Sequence, residues 1–192
     1  MSATHRPRAA FIDRDGVINE ERGYVHRVED FEFLPGAVAA LRSLREQGYL
    51  LVVITNQSGI ARGMYSEEDY ERLTAHMTRM LAAAGAAPHA SFYCPHLPDA
   101  AVARFRVDCD CRKPRAGMLR QAIEQWSVDV TESILVGDRA SDVQAGRAAG
   151  VGRCYLVRSG KPLDEADIAQ ADAVFADLAD CVRHVLALRQ SN

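Results

Sequence analysis

Two rhythms of apolar and polar positions run along this chain. Short apolar runs recur at residues 9–12, 50–54, 91–93, 133–136 and 153–157, the last three each led by one polar residue, Ser91, Ser133 or Arg153. Runs of that length predict strands, and the lack of polar alternation predicts a sheet covered on both faces. Between them, apolar residues recur at helical spacing: Val38, Leu41 and Leu44; Tyr70, Leu73, Met77, Met80 and Leu81; Met118, Leu119, Ala122, Ile123 and Trp126. Pro35 opens and Gly48 stops the first of these helices, and Ser66 followed by Glu67, Glu68 and Asp69 caps the second. A further helix follows Asp142 and stops at Gly150. The methionines and Trp126 read as core filler. Residues 19–33 and 158–171 lack a period and predict loops, the first a flap; 172–175 predicts a last strand and 178–188 a terminal helix. The order β-α-β-α-β-α-β-α-β predicts an α/β fold, one open and mostly parallel sheet with helices on both faces.

Such sheets bind ligands at the carboxyl ends of their strands. The polar clusters fall there: Asp13 and Asp15 after the first strand, Thr55 and Asn56 after the second, Asp138 and Asp142 after the fourth, with Arg112-Lys113-Pro114 just before a helix. In extended chain, residues two apart point the same way, so Asp13 and Asp15 can face one site while Arg14 faces away. Taken alone, this is also what an Asp-rich turn after a strand looks like. Two carboxylates held together call for a proton or a cation, and Mg²⁺ favours carboxylate and water oxygens. Two carboxylates, a further acidic pair, a hydroxyl and a lysine are the parts of phosphoryl transfer through an aspartyl phosphate. Asp13 attacks phosphorus, and Asp15 protonates the leaving oxygen and then deprotonates water. Mg²⁺ held by Asp13 and Asp138 neutralises the approach of anion to anion. Thr55 and Lys113 bind the oxygens over which charge spreads.

Composition narrows the class. With 192 residues, 48% hydrophobic and 26% charged, the chain suits one globular domain over 1–192, with residues of about 94–111 as an insertion. A net charge of −3 argues against a nucleic-acid binder. The polar start Met-Ser-Ala-Thr-His-Arg-Pro-Arg has no signal-peptide core, and no apolar run has the length of a membrane span, which predicts a cytoplasmic protein with no membrane partner. No apolar stripe is left over, so a monomer is expected. Five cysteines, three of them within residues 94–111, suit metal ligation in a reducing compartment. Cys94, His96, Cys109 and Cys111 supply three sulfurs and an imidazole, the set of a closed structural Zn²⁺ site; the alternative is three thiols near a surface histidine. Cys154 and Cys181 read as core, and His5, His76, His89 and His184 as surface or satisfied positions.

Phe11-Ile12-Asp13-Arg14-Asp15-Gly16, Ile54-Thr55-Asn56, Arg112-Lys113-Pro114 and Val136-Gly137-Asp138-Arg139-Ala140-Ser141-Asp142 resemble, in order, the four motifs of the haloacid dehalogenase (HAD) superfamily of phosphatases. The resemblance implies a Rossmann-like core, Mg²⁺, Asp13 as nucleophile and Asp15 as general acid/base. It also implies phosphoryl stabilisation by Thr55 and Lys113, a Mg²⁺ site of Asp13, the Asp15 backbone carbonyl and Asp138, and a supporting place behind the ligands for Asp142. The space between Gly59 and Cys111 leaves no room for a large cap domain.

Gly23-Tyr24-Val25-His26, Asn56 to Gly63, Tyr93-Cys94-Pro95-His96 and Cys109 to Pro114 narrow the likeness further. The chain is similar over residues 8–188 to the family of phosphatases that remove the C7 phosphate of D-glycero-D-manno-heptose 1,7-bisphosphate, a step toward nucleotide-activated heptose for lipopolysaccharide or surface glycans. That likeness implies a sugar bisphosphate as the partner, contacted by Arg14, Glu21, Arg22, Gly23, Tyr24, Asn56, Gln57, Ser58, Arg112 and Arg139, and it raises the zinc set Cys94, His96, Cys109 and Cys111. Arg112 is the position tied to substrate recognition, and Arg can grip a second phosphate through two bonds. Val17 stands where the pattern carries Thr, a swap a strand residue facing off the site tolerates. The related histidinol-phosphate phosphatases share the core and the cysteines. A receiver-like signalling domain, also phosphorylated on Asp, is the reading from a different class; there the acceptor follows the third strand.

Overall fold

The structure is a computed structural model that describes residues 6–190; His5 and the first residues of the polar start lie outside the described residues. Among the described residues, six parallel strands form one sheet: β1 (Ala9–Ile12), β2 (Leu50–Asn56), β3 (Ala90–Cys94), β4 (Ile134–Gly137), β5 (Arg153–Val157) and β6 (Ala173–Phe175). Their order is β3-β2-β1-β4-β5-β6. The chain therefore winds outward from β1 in one direction and from β4 in the other, and a crevice opens at the carboxyl ends where the direction reverses. Register aligns that edge. Ile12 pairs with Val53 on one side and Val136 on the other, and the Asp13 N–H donates to the Val136 carbonyl at 3.0 Å. Asp13, Thr55 and Asp138 thus leave their strands side by side.

The period of two decides which core each strand residue joins. Ala10, Ile12, Leu51, Val53 and Val136 face α1 (Ala37–Glu46) and α7 (Leu178–Gln190), meeting Leu41, Leu44, Cys181 and Val185. Ala9, Phe11, Val52, Ile54 and Leu135 face α4 (Gly117–Trp126) and α5 (Ala140–Ala148), meeting Leu119, Ala122 and Val143. Phe11 and Ile12 are fully buried, each worth roughly 1.5–3 kcal/mol. Rigid strand ends are the consequence, and the site is built on them. A third cluster, Ile60, Ala61, Tyr65, Tyr70, Leu97, Ala100 and Phe105, packs the cysteine loop onto α2 (Ser58–Ala61) and α3 (Glu67–Ala83).

Most predicted elements are present within a few residues. The Ser66 hydroxyl accepts from the Asp69 N–H while the Asp69 carboxylate accepts from the Ser66 N–H, the reciprocal cap the sequence suggested. Three details differ. Met80 is 44% exposed, because its neighbours Met77 and Leu81 already take the inward positions. Val17 lies in a turn, not a strand, and its side chain is core, so the swap from Thr points away from the crevice as expected. The loop 158–171 holds a short helix, α6 (Glu165–Ile168), capped by Asp164. Cys154 and Cys181 are core residues. His89 accepts from the Leu51 N–H at 3.0 Å, and His76 and His184 pack edgewise or tilted against Phe31 and Phe175. Among the described residues no helix is long and apolar enough to cross a membrane.

Candidate active site

Lys113 is the electrostatic centre of the crevice. Only 3% exposed, it reaches the sheet edge from the turn before α4. Its Nζ lies 3.0 Å from Asp13 Oδ1 and 2.6 Å from Asp142 Oδ1, and donates to the Ile54 carbonyl at 2.9 Å. Asn56 fixes the lysine's backbone in both directions, its Oδ1 accepting from the Lys113 N–H and its Nδ2 donating to the Lys113 carbonyl, each at 3.1 Å. Asp138 is the third buried carboxylate. Its Oδ2 accepts from the Lys161 N–H at 2.9 Å, while its Oδ1 is buried without a hydrogen-bond partner and lies 3.8 Å from Arg139 Nε.

Three carboxylates around one ammonium carry an excess of negative charge. Burial, with Asp142, Asp138 and Asp15 nearby, pushes the Asp13 carboxyl up to about 8 against the pull of Lys113, and burial with Asp142 nearby pushes Asp138 up to about 6. The neighbouring carboxylates hold Lys113 protonated despite its burial. Carboxylate oxygens of Asp13, Asp138 and Asp142 lie within 4.8 Å of one another. Hard oxygen donors, surplus negative charge and an orphaned buried oxygen on Asp138 fit a divalent cation such as Mg²⁺. The sequence placed Asp142 behind the ligands; the structure sets it in direct contact with Lys113.

Asp15 faces a different neighbourhood. Arg14 does not point away from the aspartates as expected. It is 1% exposed and bends back, placing Nε 3.2 Å from Asp15 Oδ1 and Nη2 2.8 Å from Oδ2. Asn19 Nδ2 donates to Asp15 Oδ1 at 3.1 Å, and Gln57 Nε2 to Oδ2 at 3.1 Å. Gln57 Nε2 also donates to the Thr55 hydroxyl at 2.8 Å. Gly16 permits the turn that follows. Its φ is +81°, and a Cβ there would stand 2.6 Å from Gly160 Cα and 2.7 Å from Asp138 Oδ2.

The crevice is a hollow of about 370 Å³ lined by Asp13, Asp15, Thr55, Lys113, Asp138 and Asp142 among others. It runs into a second hollow of about 300 Å³, which carries Arg62, Arg112, Arg139 and Lys161. Ser58, Asn56 and Glu21 border both. Glu21 lies 3.8 Å from Arg139 Nη2 and 3.5 Å from Lys161 Nζ. Gly23 and Tyr24 both take left-handed backbone, which sets Tyr24 at the rim, 40% exposed. Two predicted contacts are not brought to either hollow. Arg14 is spent on Asp15 and on the Val25 carbonyl at 2.8 Å, and Arg22 pairs with Glu20 and Glu32 at the surface. Sequence reasoning missed Lys161, Gly160 and Tyr65. A glycine and lysine just beyond β5, at the functional edge of the sheet, was the available signal for the first two.

The cysteine loop ends where Lys113 begins. Cys111 Sγ lies 3.1 Å from Cys94 Sγ and 3.2 Å from Cys109 Sγ, and His96 Nδ1 is 3.4 Å from Cys111 Sγ. These four donor atoms converge with no disulfide among them. Burial pushes the Cys94 and Cys111 thiols up, while at Cys109 it is outweighed by hydrogen bonds from the Cys111 and Cys94 thiols and the Arg112 N–H, which bring that thiol down. Three sulfurs and one imidazole are compatible with zinc. The next residue, Arg112, donates to the His96 carbonyl at 3.2 Å, which ties the second hollow to this cluster.

Comparison with known proteins agrees with this geometry. A HAD-hydrolase-like family model matches residues 110–181. The D-glycero-beta-D-manno-heptose-1,7-bisphosphate 7-phosphatase of Yersinia pestis is 46% identical over 179 residues, 93% of this chain and 95% of that protein. The D-glycero-alpha-D-manno-heptose-1,7-bisphosphate 7-phosphatase of Photorhabdus laumondii is 48% identical over 158 residues, 82% of this chain and 86% of that protein. The crystal structure of D,D-heptose 1,7-bisphosphate phosphatase from B. bronchiseptica, complexed with magnesium and phosphate, superposes with a TM-score of 0.82 at 33% identity, covering 94% of this chain and 99% of that one.

Proposed function

The chain belongs to the heptose 1,7-bisphosphate 7-phosphatases of the HAD superfamily, and we propose that it hydrolyses the C7 phosphate of D-glycero-D-manno-heptose 1,7-bisphosphate through an aspartyl phosphate on Asp13. A carboxylate oxygen of Asp13 forms a bond to phosphorus as the bond from phosphorus to the sugar oxygen breaks. Asp15 gives its proton to that oxygen. Asp15 then takes a proton from water, whose oxygen attacks phosphorus, releasing inorganic phosphate and restoring Asp13. Lys113 and the Thr55 hydroxyl bear on the transferred oxygens, where charge spreads in the transition state. Asp13, the Asp15 carbonyl and Asp138 would hold Mg²⁺, which supplies charge neutralisation for the meeting of carboxylate and phosphate. Asp142 positions Lys113, and Cys94, His96, Cys109 and Cys111 would hold structural Zn²⁺.

The observation that carries the reading is the pairing of hollows, one acidic around a lysine and one basic, with Arg62, Arg112, Arg139 and Lys161 suited to a second phosphate. Histidinol phosphate would use the first hollow and bring no second phosphate to these cations, of which Arg112 and Arg139 line both hollows. A receiver domain has no use for Asp15 beside its acceptor. We place the enzyme in the cytoplasm, where reduced thiols persist. Among the described residues the exposed large apolar side chains are few, Tyr24, Met64, Met80, Val107 and Leu188, which supports a monomer in one domain.

Phosphate release with Mg²⁺, measured side by side on the alpha and beta bisphosphates and on histidinol phosphate, tests the substrate. A kcat/KM advantage of about 10²-fold or more for a bisphosphate is expected, as loss of buried polar partners discriminates strongly. Equal or greater efficiency on histidinol phosphate would contradict it.

A further inference from the structure

Asp15 is held on two sides, and each support leads to the loop at residues 20–27. On one side, Arg14 grips the Asp15 carboxylate and donates to the Val25 carbonyl at 2.8 Å. On the other, the Gln57 amide spends both of its N–H groups on Asp15 and Thr55, so its oxygen must find a donor elsewhere. Tyr65 supplies it: the phenol donates to Gln57 Oε1 at 2.6 Å, and burial holds its proton in place well above the ordinary range. The amide therefore has one orientation. Flipped, it would turn its oxygen toward the carboxylate and leave the tyrosine hydroxyl facing an N–H group. The Tyr65 ring stacks in turn on His26, with centroids 4.8 Å apart and planes within 4°. His26 Nδ1 lies 2.7 Å from the Tyr24 carbonyl, so the stack is fastened to the rim of the second hollow. Gln57 is 2% exposed. Its place is a strut between Asp15 and Thr55 more than a grip on the sugar.

We propose that Tyr65 is a positioning residue for Asp15, acting through Gln57, and that His26 holds Tyr65 so that the rim loop and the proton-transfer group move as one unit. The inference rests on the phosphatase reading above. It concerns timing as well as place. Asp15 serves twice, as acid toward a sugar alkoxide and as base toward water, and a carboxylate that wanders serves both steps badly. Misplacement by about 1 Å can cost about 10²-fold in rate.

The test uses two substrates with Tyr65→Phe and His26→Ala in the full chain with Mg²⁺. On heptose bisphosphate, Tyr65→Phe lowers kcat about tenfold with KM within about twofold, a fraction of the 10²–10⁴-fold general acid–base contribution. On p-nitrophenyl phosphate, whose leaving group departs as a stable anion, the first step needs no proton. The variant then shows a rapid burst of nitrophenolate at the wild-type rate, followed by slow turnover limited by water attack. His26→Ala keeps the hydrogen bond and shows the same pattern at about twofold to threefold. An unchanged kcat for Tyr65→Phe, or a burst slowed as much as turnover, overturns the positioning role; a His26→Ala enzyme identical to wild type overturns the coupling to the loop. Wild type that cleaves p-nitrophenyl phosphate but not the bisphosphate would mark the substrate reading as the failure, and the burst would still judge Tyr65.

Discussion

The carboxylates at the crevice enclose a buried counter-charge from the chain, whereas the thiols of the neighbouring loop enclose none. Asp13 and Asp138 are anchored at the ends of strands buried on both faces and Asp142 in the first turn of α5, and Lys113 offsets one of their charges. Cys94 ends β3, His96, Cys109 and Cys111 sit on the loop beyond it, and their donor atoms converge on one another. The two clusters are one residue apart in sequence, at Cys111 and Lys113, with Arg112 between them. Loss of the proposed cations should therefore mean different things: lost chemistry on an intact fold at the Mg²⁺ site, and lost geometry at the Zn²⁺ site.

Asp13→Asn makes the comparison sharpest. It should lower turnover by about 10⁴-fold or more, the scale seen when a nucleophile is removed. Circular dichroism and zinc content should stay at wild-type values, and thermal stability of the metal-free protein should not fall, since one of three crowded carboxylates has gone. Turnover near wild type would remove Asp13 from its role.

The opposite cut is at the loop. Cys109→Ser, or chelation of zinc, should raise KM by about 10- to 100-fold, as losses around a metal site do, with kcat changed less. Arg112, bonded to the His96 carbonyl, carries that loss. Melting of the loop ahead of the sheet, followed by hydrogen exchange at residues 94–111, would check it. Loss of kcat with KM intact would break the division between the sites.

How much of this was legible in the sequence differs between the regions. Unbroken apolar runs placed Asp13, Thr55 and Asp138 at strand ends, because burial on both faces leaves a short run no other use. The cysteine pairs announced themselves by residue type. Arg14 was misread, because period-two alternation describes a strand, and the chain has already turned at Asp15 and Gly16. Tyr65 and Gly160 were missed for another reason: Gly160 had only its place beyond β5 as a signal, and both roles exist only through contacts made in the fold, Tyr65 donating to Gln57 Oε1 and Gly160 lying against Asp138. Gly160→Ala tests the latter. Its Cβ would stand 2.1 Å from Asp138 Oδ2, so Mg²⁺ affinity read by calorimetry should weaken about tenfold while zinc stays bound.

The smallest effect expected is on stability against pH. Asp13 and Asp138 have folded values raised to about 8 and about 6. Stability from such groups is fully present below the unfolded carboxylate value of about 3.9 and is lost as pH rises through the folded values. Without Mg²⁺, Tm should therefore fall as pH rises from about 4 to about 8; with Mg²⁺ the slope should flatten, since the cation favours the ionised carboxylates. The thiols predict no such flattening with Mg²⁺. A metal-free Tm that rises across this window would contradict the charge excess around Lys113.

The most direct test is to trap the covalent enzyme. Asp15→Asn keeps the nucleophile and lacks the base, so p-nitrophenyl phosphate with Mg²⁺ should load it and leave it loaded. Borohydride reduction of the acyl phosphate, followed by peptide mass spectrometry, should find homoserine at position 13. Homoserine at position 138 or 142, or none at any of the three, would contradict an aspartyl phosphate on Asp13.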